Sequence, residues 1–255
     1  MPRNIPEWFT LGEEAMPQAM QRIAKAVSDN QMCSQVKHIP MLAHWFISDS
    51  LLLATRANEE GMHANAISLL RQCIEGISVI EIGICEHAEA ESTLLKWEDD
   101  SLKAGQLRCW LQNNIWSHYG EGLWKEPWHA FMKEFTAALQ PYAHYGSSLA
   151  QWQLRLHEFS EDILEEGVTG RGIIEIRPRA YDPQKATRIT LFHSIIIYIL
   201  GRIWMAHKTD NEFSSLISRL GVALGKSRYL DGHSTDWSQQ FWAVMWERGG
   251  GTILE

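Results

Sequence analysis

Basic runs, paired cysteines and a leader-like opening pattern are what this sequence lacks. The nearest approach to a basic cluster is the short local excess of Arg171, Arg177 and Arg179, and the formal net charge is −8. A surface of that sign does not attract a polyanion as a whole, so net charge disfavours RNA and leaves it only a local basic cleft. Cys33, Cys73, Cys85 and Cys109 form no C-x-x-C pair and no metal-ligand spacing, so no metal centre is expected. Cys73 and Cys85 fall on one expected helix, about 18 Å apart, too far to bridge. Four scattered thiols read as reduced core residues of a cytoplasmic protein. The opening Met-Pro-Arg-Asn-Ile-Pro-Glu-Trp has no basic stretch followed by an apolar one, and so does not resemble a secretory leader. Internal repeats, low-complexity linkers and a G-x-S-x-G elbow are absent too, and no cofactor is expected.

What is present is tryptophan. The chain has 12 among 255 residues, with 45% apolar and 21% charged residues overall. About two to four would be ordinary for this length. Such rings fill a core or form contact surfaces. Apolar residues recur at helical spacing over most of the chain. This predicts an all-α multi-helix bundle in one domain, 1–255, in which helices over 10–58 pack on a core of 64–146 and helices over 183–247 follow.

The individual helices are expected at 10–30, 39–58, 64–90, 92–113, 127–140, 148–164, 183–207, 211–224 and 236–247. Pro17 limits where the first can begin, Pro127 suits a first helical position and Pro141 ends that helix. Asp182-Pro183 is a helix start with aspartate as N-cap. Residues 114–126 read as a loop. Gly170-Arg-Gly172 followed by Ile173-Ile-Glu-Ile carries strand chemistry, which predicts one short β-hairpin or extended segment near 167–181. Ile189 to Ala206 is long enough to cross a bilayer, but His193 and Arg202 near its ends favour a buried core helix, so no membrane is expected.

Two motifs come close to a known chemistry. Gly221-Val-Ala-Leu-Gly225-Lys226-Ser227 is one residue short of a phosphate-binding loop and follows a helix rather than a strand. It reads as a helix C-terminus with Gly225 just past the end. Glu86-His87-Ala-Glu89-Ala-Glu91 places His87 and Glu91 one turn apart, yet no second cluster completes a metal site, and the stretch reads as a solvated helix end.

Arginine and histidine recur at short spacing in Arg56…His63, Arg188…His193 and Arg202…His207. A further segment, Leu139-Gln140-Pro141-Tyr142-Ala143-His144-Tyr145-Gly146, is similar in register to Arg-Asn-x-x-Ala-His-Gly/Pro, and Arg71 and Glu75 lie one turn apart upstream. On these residues the chain resembles HEPN-like helical proteins of bacterial defence and toxin systems over about 64–146. The resemblance implies a helical fold, a homodimer, and a histidine and arginine acting together on a scissile phosphate. The arginine position holds Leu139 here, and the asparagine position holds Gln140. Arg71, Glu75 and His144 are therefore the candidate catalytic set, with Arg188 and His193 as the alternative.

Three functions remain. The first is a non-catalytic helical interaction or assembly protein of a bacterial multi-protein system, with a protein partner or a second copy of itself. The second is a HEPN-type metal-independent ribonuclease with altered residues. The third is a small-molecule-binding protein with a tryptophan-lined pocket. The missing motif arginine favours the first.

Overall fold

The computed structural model describes residues 5–164 and 167–227, with the backbone alone over 156–175. The protein is an all-α bundle with one β-hairpin. Helix α1 (Glu7–Ser28) continues through Pro17 rather than starting beside it. Its stripe of Leu11, Ala15, Ala19, Ile23 and Val27, spaced by four, is buried. Helix α2 (His38–Glu59) returns antiparallel, with the His44 ring 3.1 Å from the carbonyl oxygen of Met20. Helix α3 (His63–Ile84) follows after a three-residue turn in which Gly61 has a φ of 75°.

Helices α2 and α3 lie unusually close. A Cβ at Gly76 would stand 3.1 Å from Ile47, and one at Gly83 would collide with the ring of Pro40. Two glycines seven residues apart thus let two backbones meet along two turns. Sixteen of the 22 residues of α3 are buried, and this helix is the axis of the bundle.

The expected helix over 64–90 stops early. Beyond Cys85 no residue is buried until Ala90, and Glu86 takes a left-handed φ of 52°. The expected helix over 92–113 is two helices, α4 (Ala90–Glu98) and α5 (Ala104–Asn114). The Asp99 carboxylate accepts the Ser101 N–H at 2.9 Å, and Asp100 has a φ of 63°. Consecutive aspartates followed by serine offer the backbone a turn in place of a helix.

Helix α6 (Trp128–Leu139) is preceded by Pro127 as its N-cap and passes into a 3₁₀ turn at Gln140–Tyr142, where Pro141 removes a donor. The helix expected over 148–164 is the largest correction. Only α7 (Ser147–Gln151) forms, and the backbone then enters β1 (Arg155–Leu164), paired antiparallel with β2 (Gly167–Glu175). The apolar positions 156, 159 and 163 follow no strict strand period, and it is the backbone pairing with 167–175 that decides the conformation. The hairpin so occupies 155–175 rather than 167–181.

Helix α8 (Pro183–His207) begins as expected, with the Asp182 carboxylate accepting the N–H groups of Gln184 at 2.9 Å and Lys185 at 3.3 Å. It is long and apolar enough to cross a membrane, and 72% of its most apolar window is buried inside the bundle. Helix α9 (Asn211–Gly225) is capped by Asp210, which also pairs with Arg22 at 2.7 Å. Gly225 is the last helical residue rather than the one beyond. Glycine is needed there because a Cβ would stand 2.8 Å from the Leu123 carbonyl oxygen. Helix α2 packs on α3, whereas α1 packs mainly on α8 and α9. One apolar core runs through these helices. The expected helix over 236–247 lies outside the described residues.

Candidate functional site

Arg71 sits on the inward side of α3 with only 4% of its surface exposed. A buried guanidinium must find acceptors for its N–H groups. One turn along the helix, Glu75 Oε1 accepts from Nη1 at 3.2 Å. From the turn that Pro141 creates, Gln140 Oε1 accepts from Nη2 at 2.8 Å. The i,i+4 pairing of Arg71 and Glu75 is local and could be read from spacing. The contact with Gln140 spans 69 residues and could not.

A second guanidinium joins them. Arg108, on α5, is held below its ordinary pKa first by burial and then by the charge of Arg71, with Glu75 opposing. Among the described residues, Arg71 Nε and Arg108 Nη1 are buried without a hydrogen-bond partner. The site is therefore two arginines, one carboxylate and one carboxamide where α3, α5 and the 140–142 turn meet. Sequence reasoning missed Arg108. A lone arginine beside Leu107, Trp110 and Leu111 was the only signal for it.

His144 is not drawn into this group. It is exposed, and it makes no hydrogen bond among the described residues. The alternative pair separates too. Arg188 and His193 are five positions apart on α8, about 140° around the axis. Arg188 is buried near Lys185 and Tyr142, while the His193 ring lies 3.4 Å from Thr55 Oγ1 on α2. Lys185 is itself buried and donates from Nζ to the carbonyl oxygens of Gln151 and Leu154.

No group of three His, Cys, Asp or Glu side chains that could hold a metal occurs among the described residues. In the 86–91 stretch three of the four groups have neighbours of their own. Glu91 accepts the Cys33 N–H at 2.8 Å, His87 meets Trp110 edge to face, and Glu86 lies 3.6 Å from Lys208. A hollow of about 850 Å³ opens beside that stretch, between the ends of α1, α3 and α8. It is lined by Trp204 but by none of Arg71, Glu75 and His144.

Two buried titratable groups were not anticipated. Glu81 of α3 is 1% exposed and accepts the indole N–H of Trp116 at 2.9 Å. Burial pushes its carboxyl up to about 7, with Tyr119 and Trp116 opposing. A single glutamate inside Ile77-Ser-Val-Ile-Glu-Ile-Gly-Ile was its signal. His63 is held between Asn58 Oδ1 at 3.0 Å and the Asp182 N–H, which it accepts at 2.9 Å. Accepting at Nε2 leaves the proton on Nδ1, and burial lowers this imidazole to about 4.

The outer face of α2 is built in the opposite way. Leu42, Trp45, Phe46, Leu52 and Leu53 are each between 44% and 57% exposed. Residues 38, 42, 45, 49, 52, 56 and 59 follow one another by alternating steps of four and three, the seam of a coiled-coil helix. Leu42, Trp45 and Leu52 occupy that seam, and Phe46 and Leu53 flank it. Asp49 and Arg56 also lie on it, both exposed and without an ion pair among the described residues. A groove of about 520 Å³, lined by Val27, His38, Met41, Leu42 and Trp45, extends the face toward α1.

Tested against family models, curated proteins and solved structures, the chain gives no significant match.

Proposed function

We propose that this chain is a non-catalytic helical assembly protein that joins a second copy of itself through the outer face of α2. One observation carries the reading. Five large apolar side chains on a single helix stand about half exposed, and contiguous apolar surface of that kind marks an interaction site.

The charges on the seam argue for a second copy rather than another partner. Asp49 and Arg56 are seven residues apart, two turns along one stripe. Burying either one unpaired in an apolar interface would be costly. An antiparallel copy related by a two-fold axis between residues 52 and 53 brings its Arg56 opposite Asp49 and its Asp49 opposite Arg56. The face is self-complementary, as an isologous dimer requires. Leu52 and Leu53 form the centre of such a contact, and beyond the charges Trp45 and Phe46 lie opposite Glu60 and Glu59 at the end of the second copy's helix.

The resemblance to HEPN-like proteins supports a place in a bacterial multi-protein system. It also supplies the competing reading, metal-independent RNA cleavage by Arg71, Glu75 and His144. A buried Arg71 and an exposed His144 that does not join its group favour assembly over catalysis.

Sedimentation velocity over a concentration series tests the proposal. The wild type is expected to dimerise and Leu52→Glu to remain monomeric. Asp49→Arg weakens the dimer at least tenfold, as expected for like charges facing each other at about 1.4 kcal/mol or more. The double variant Asp49→Arg/Arg56→Asp recovers it. A wild type monomeric at about 100 μM, well above the Kd of a specific complex, overturns the reading. So does a charge-swapped variant no tighter than Asp49→Arg.

A further inference from the structure

The guanidinium of Arg71 has two usable edges, and the structure fills only one and a half of them. Nη1 is taken by Glu75 and Nη2 by Gln140, while Nε has no acceptor among the described residues. The Nε–H and Nη2–H bonds project side by side from one edge. That edge matches two oxygens of a phosphate or carboxylate in a bidentate pair. Here it meets a single neutral amide oxygen.

The surroundings ask for an anion. Arg108 Nη1 is a second buried donor without an acceptor. Glu75 is the one carboxylate whose charge bears on Arg108, and Arg71 presses on it with the opposite effect. Two guanidiniums thus share one carboxylate, which leaves an excess positive charge in a partly desolvated place. An unneutralised buried charge is expensive, and an oxyanion from solution would offset it. Gln140 provides the way in. Its residue is exposed, although its oxygen reaches Arg71, so its carboxamide can swing outward without moving the backbone turn.

We propose that Arg71 and Arg108 form a binding site for a small oxyanion, a phosphate or carboxylate group, which displaces the Gln140 carboxamide. The oxyanion takes the Nε–Nη2 edge of Arg71 and a further bond from Nη1 of Arg108. Glu75 remains on Nη1 of Arg71 and holds that guanidinium in place. The site is independent of the α2 face, and neither proposal needs the other.

Thermal unfolding of the full chain tests it, titrated with inorganic phosphate, with acetate, and with chloride at matched ionic strength. Phosphate or acetate is expected to raise Tm by a few degrees at about 10–50 mM, where chloride does not. The more effective anion tells a phosphate site from a carboxylate site. Arg108→Met weakens the midpoint about tenfold, the share of one charge-assisted bond. Gln140→Ala tightens it about threefold, because a competing acceptor has gone. Equal shifts with chloride overturn the proposal, as does an Arg108→Met protein with the wild-type midpoint. Should Arg108→Met not fold, a Gln140→Ala midpoint equal to the wild type overturns it instead.

Discussion

Helices α2 and α3 have the same length, 22 residues, and are joined by three residues, yet they break the apolar-inside pattern in opposite ways. Helix α3 carries polar groups inward. Arg71 and Glu81 are buried within it, each held by a side chain from a distant part of the chain. Helix α2 carries apolar groups outward, and only nine of its 22 residues are buried. Neither departure helps the isolated fold. A buried charge costs several kcal/mol unless it is paired, and an exposed leucine or tryptophan forgoes about 1.5–3 kcal/mol of burial. On the two proposals made above, what Arg71 and the outer face of α2 share is that each is completed by something outside the chain. The excess charge beside α3 asks for an anion, and the bare face of α2 asks for another apolar face.

The sharpest way to break this contrast is to make one truncation on both helices. Ile77 of α3 is fully buried, whereas Leu53 of α2 is 51% exposed. Ile77→Ala is expected to cost about 2–5 kcal/mol in urea unfolding, the transfer term plus a cavity. Leu53→Ala is expected to stay within about 0.5 kcal/mol at concentrations low enough to keep the chain monomeric. The second variant shows its effect only as the concentration rises and the wild type gains stability by association. A loss of 2 kcal/mol or more for Leu53→Ala in dilute solution would place α2 among the helices whose outer face is already covered.

How far each helix is legible in the sequence follows from the range of the interactions that shape it. The start of α8 is legible because Asp182 and Pro183 act on their own backbone. The pairing of Arg71 with Glu75 is legible for the same reason. The break at Asp99–Ser101 and the left-handed Glu86 are local as well, but a continuing apolar period outweighs them on a plain reading of spacing. Residues 155–164 mislead because Leu156, Phe159 and Ile163 fit a helix, while the strand depends on pairing with 167–175, which the spacing within 155–164 does not show. The candidate site is legible by halves. Arg71 and Glu75 come from one helix, while Gln140 and Arg108 reach it from elements whose orientation depends on the whole bundle. Likewise α2 announces an apolar helix in Leu42, Trp45, Phe46 and Leu52. Which of its two apolar stripes faces inward is decided by Gly76 and Gly83 on the neighbouring helix.

A smaller effect separates the two helices by pH. Glu81 of α3 is raised from 4.5 to about 7 by burial, so the folded chain holds this proton more tightly than the unfolded one. Between those values the unfolded state binds fewer protons, and stability falls as pH rises, the penalty being complete above about 7. His63 has the opposite sign. Lowered from 6.5 to about 4, it leaves the unfolded state with more protons across that window, so stability falls as pH drops through it. The two slopes overlap and partly cancel in the wild-type profile, and a difference between variants is the better readout. Glu81→Gln keeps an oxygen for the Trp116 N–H and cannot ionise. Its advantage over the wild type is expected to be within a few tenths of a kcal/mol near pH 4.5 and to grow to about 1–3 kcal/mol at pH 8. Asp49→Asn on the exposed face of α2, measured on the monomer, should change little at either pH. A Glu81→Gln advantage that stays constant from pH 4.5 to 8 would show that this carboxyl does not titrate inside the bundle, and His63 would then be left to carry the opposite slope without it.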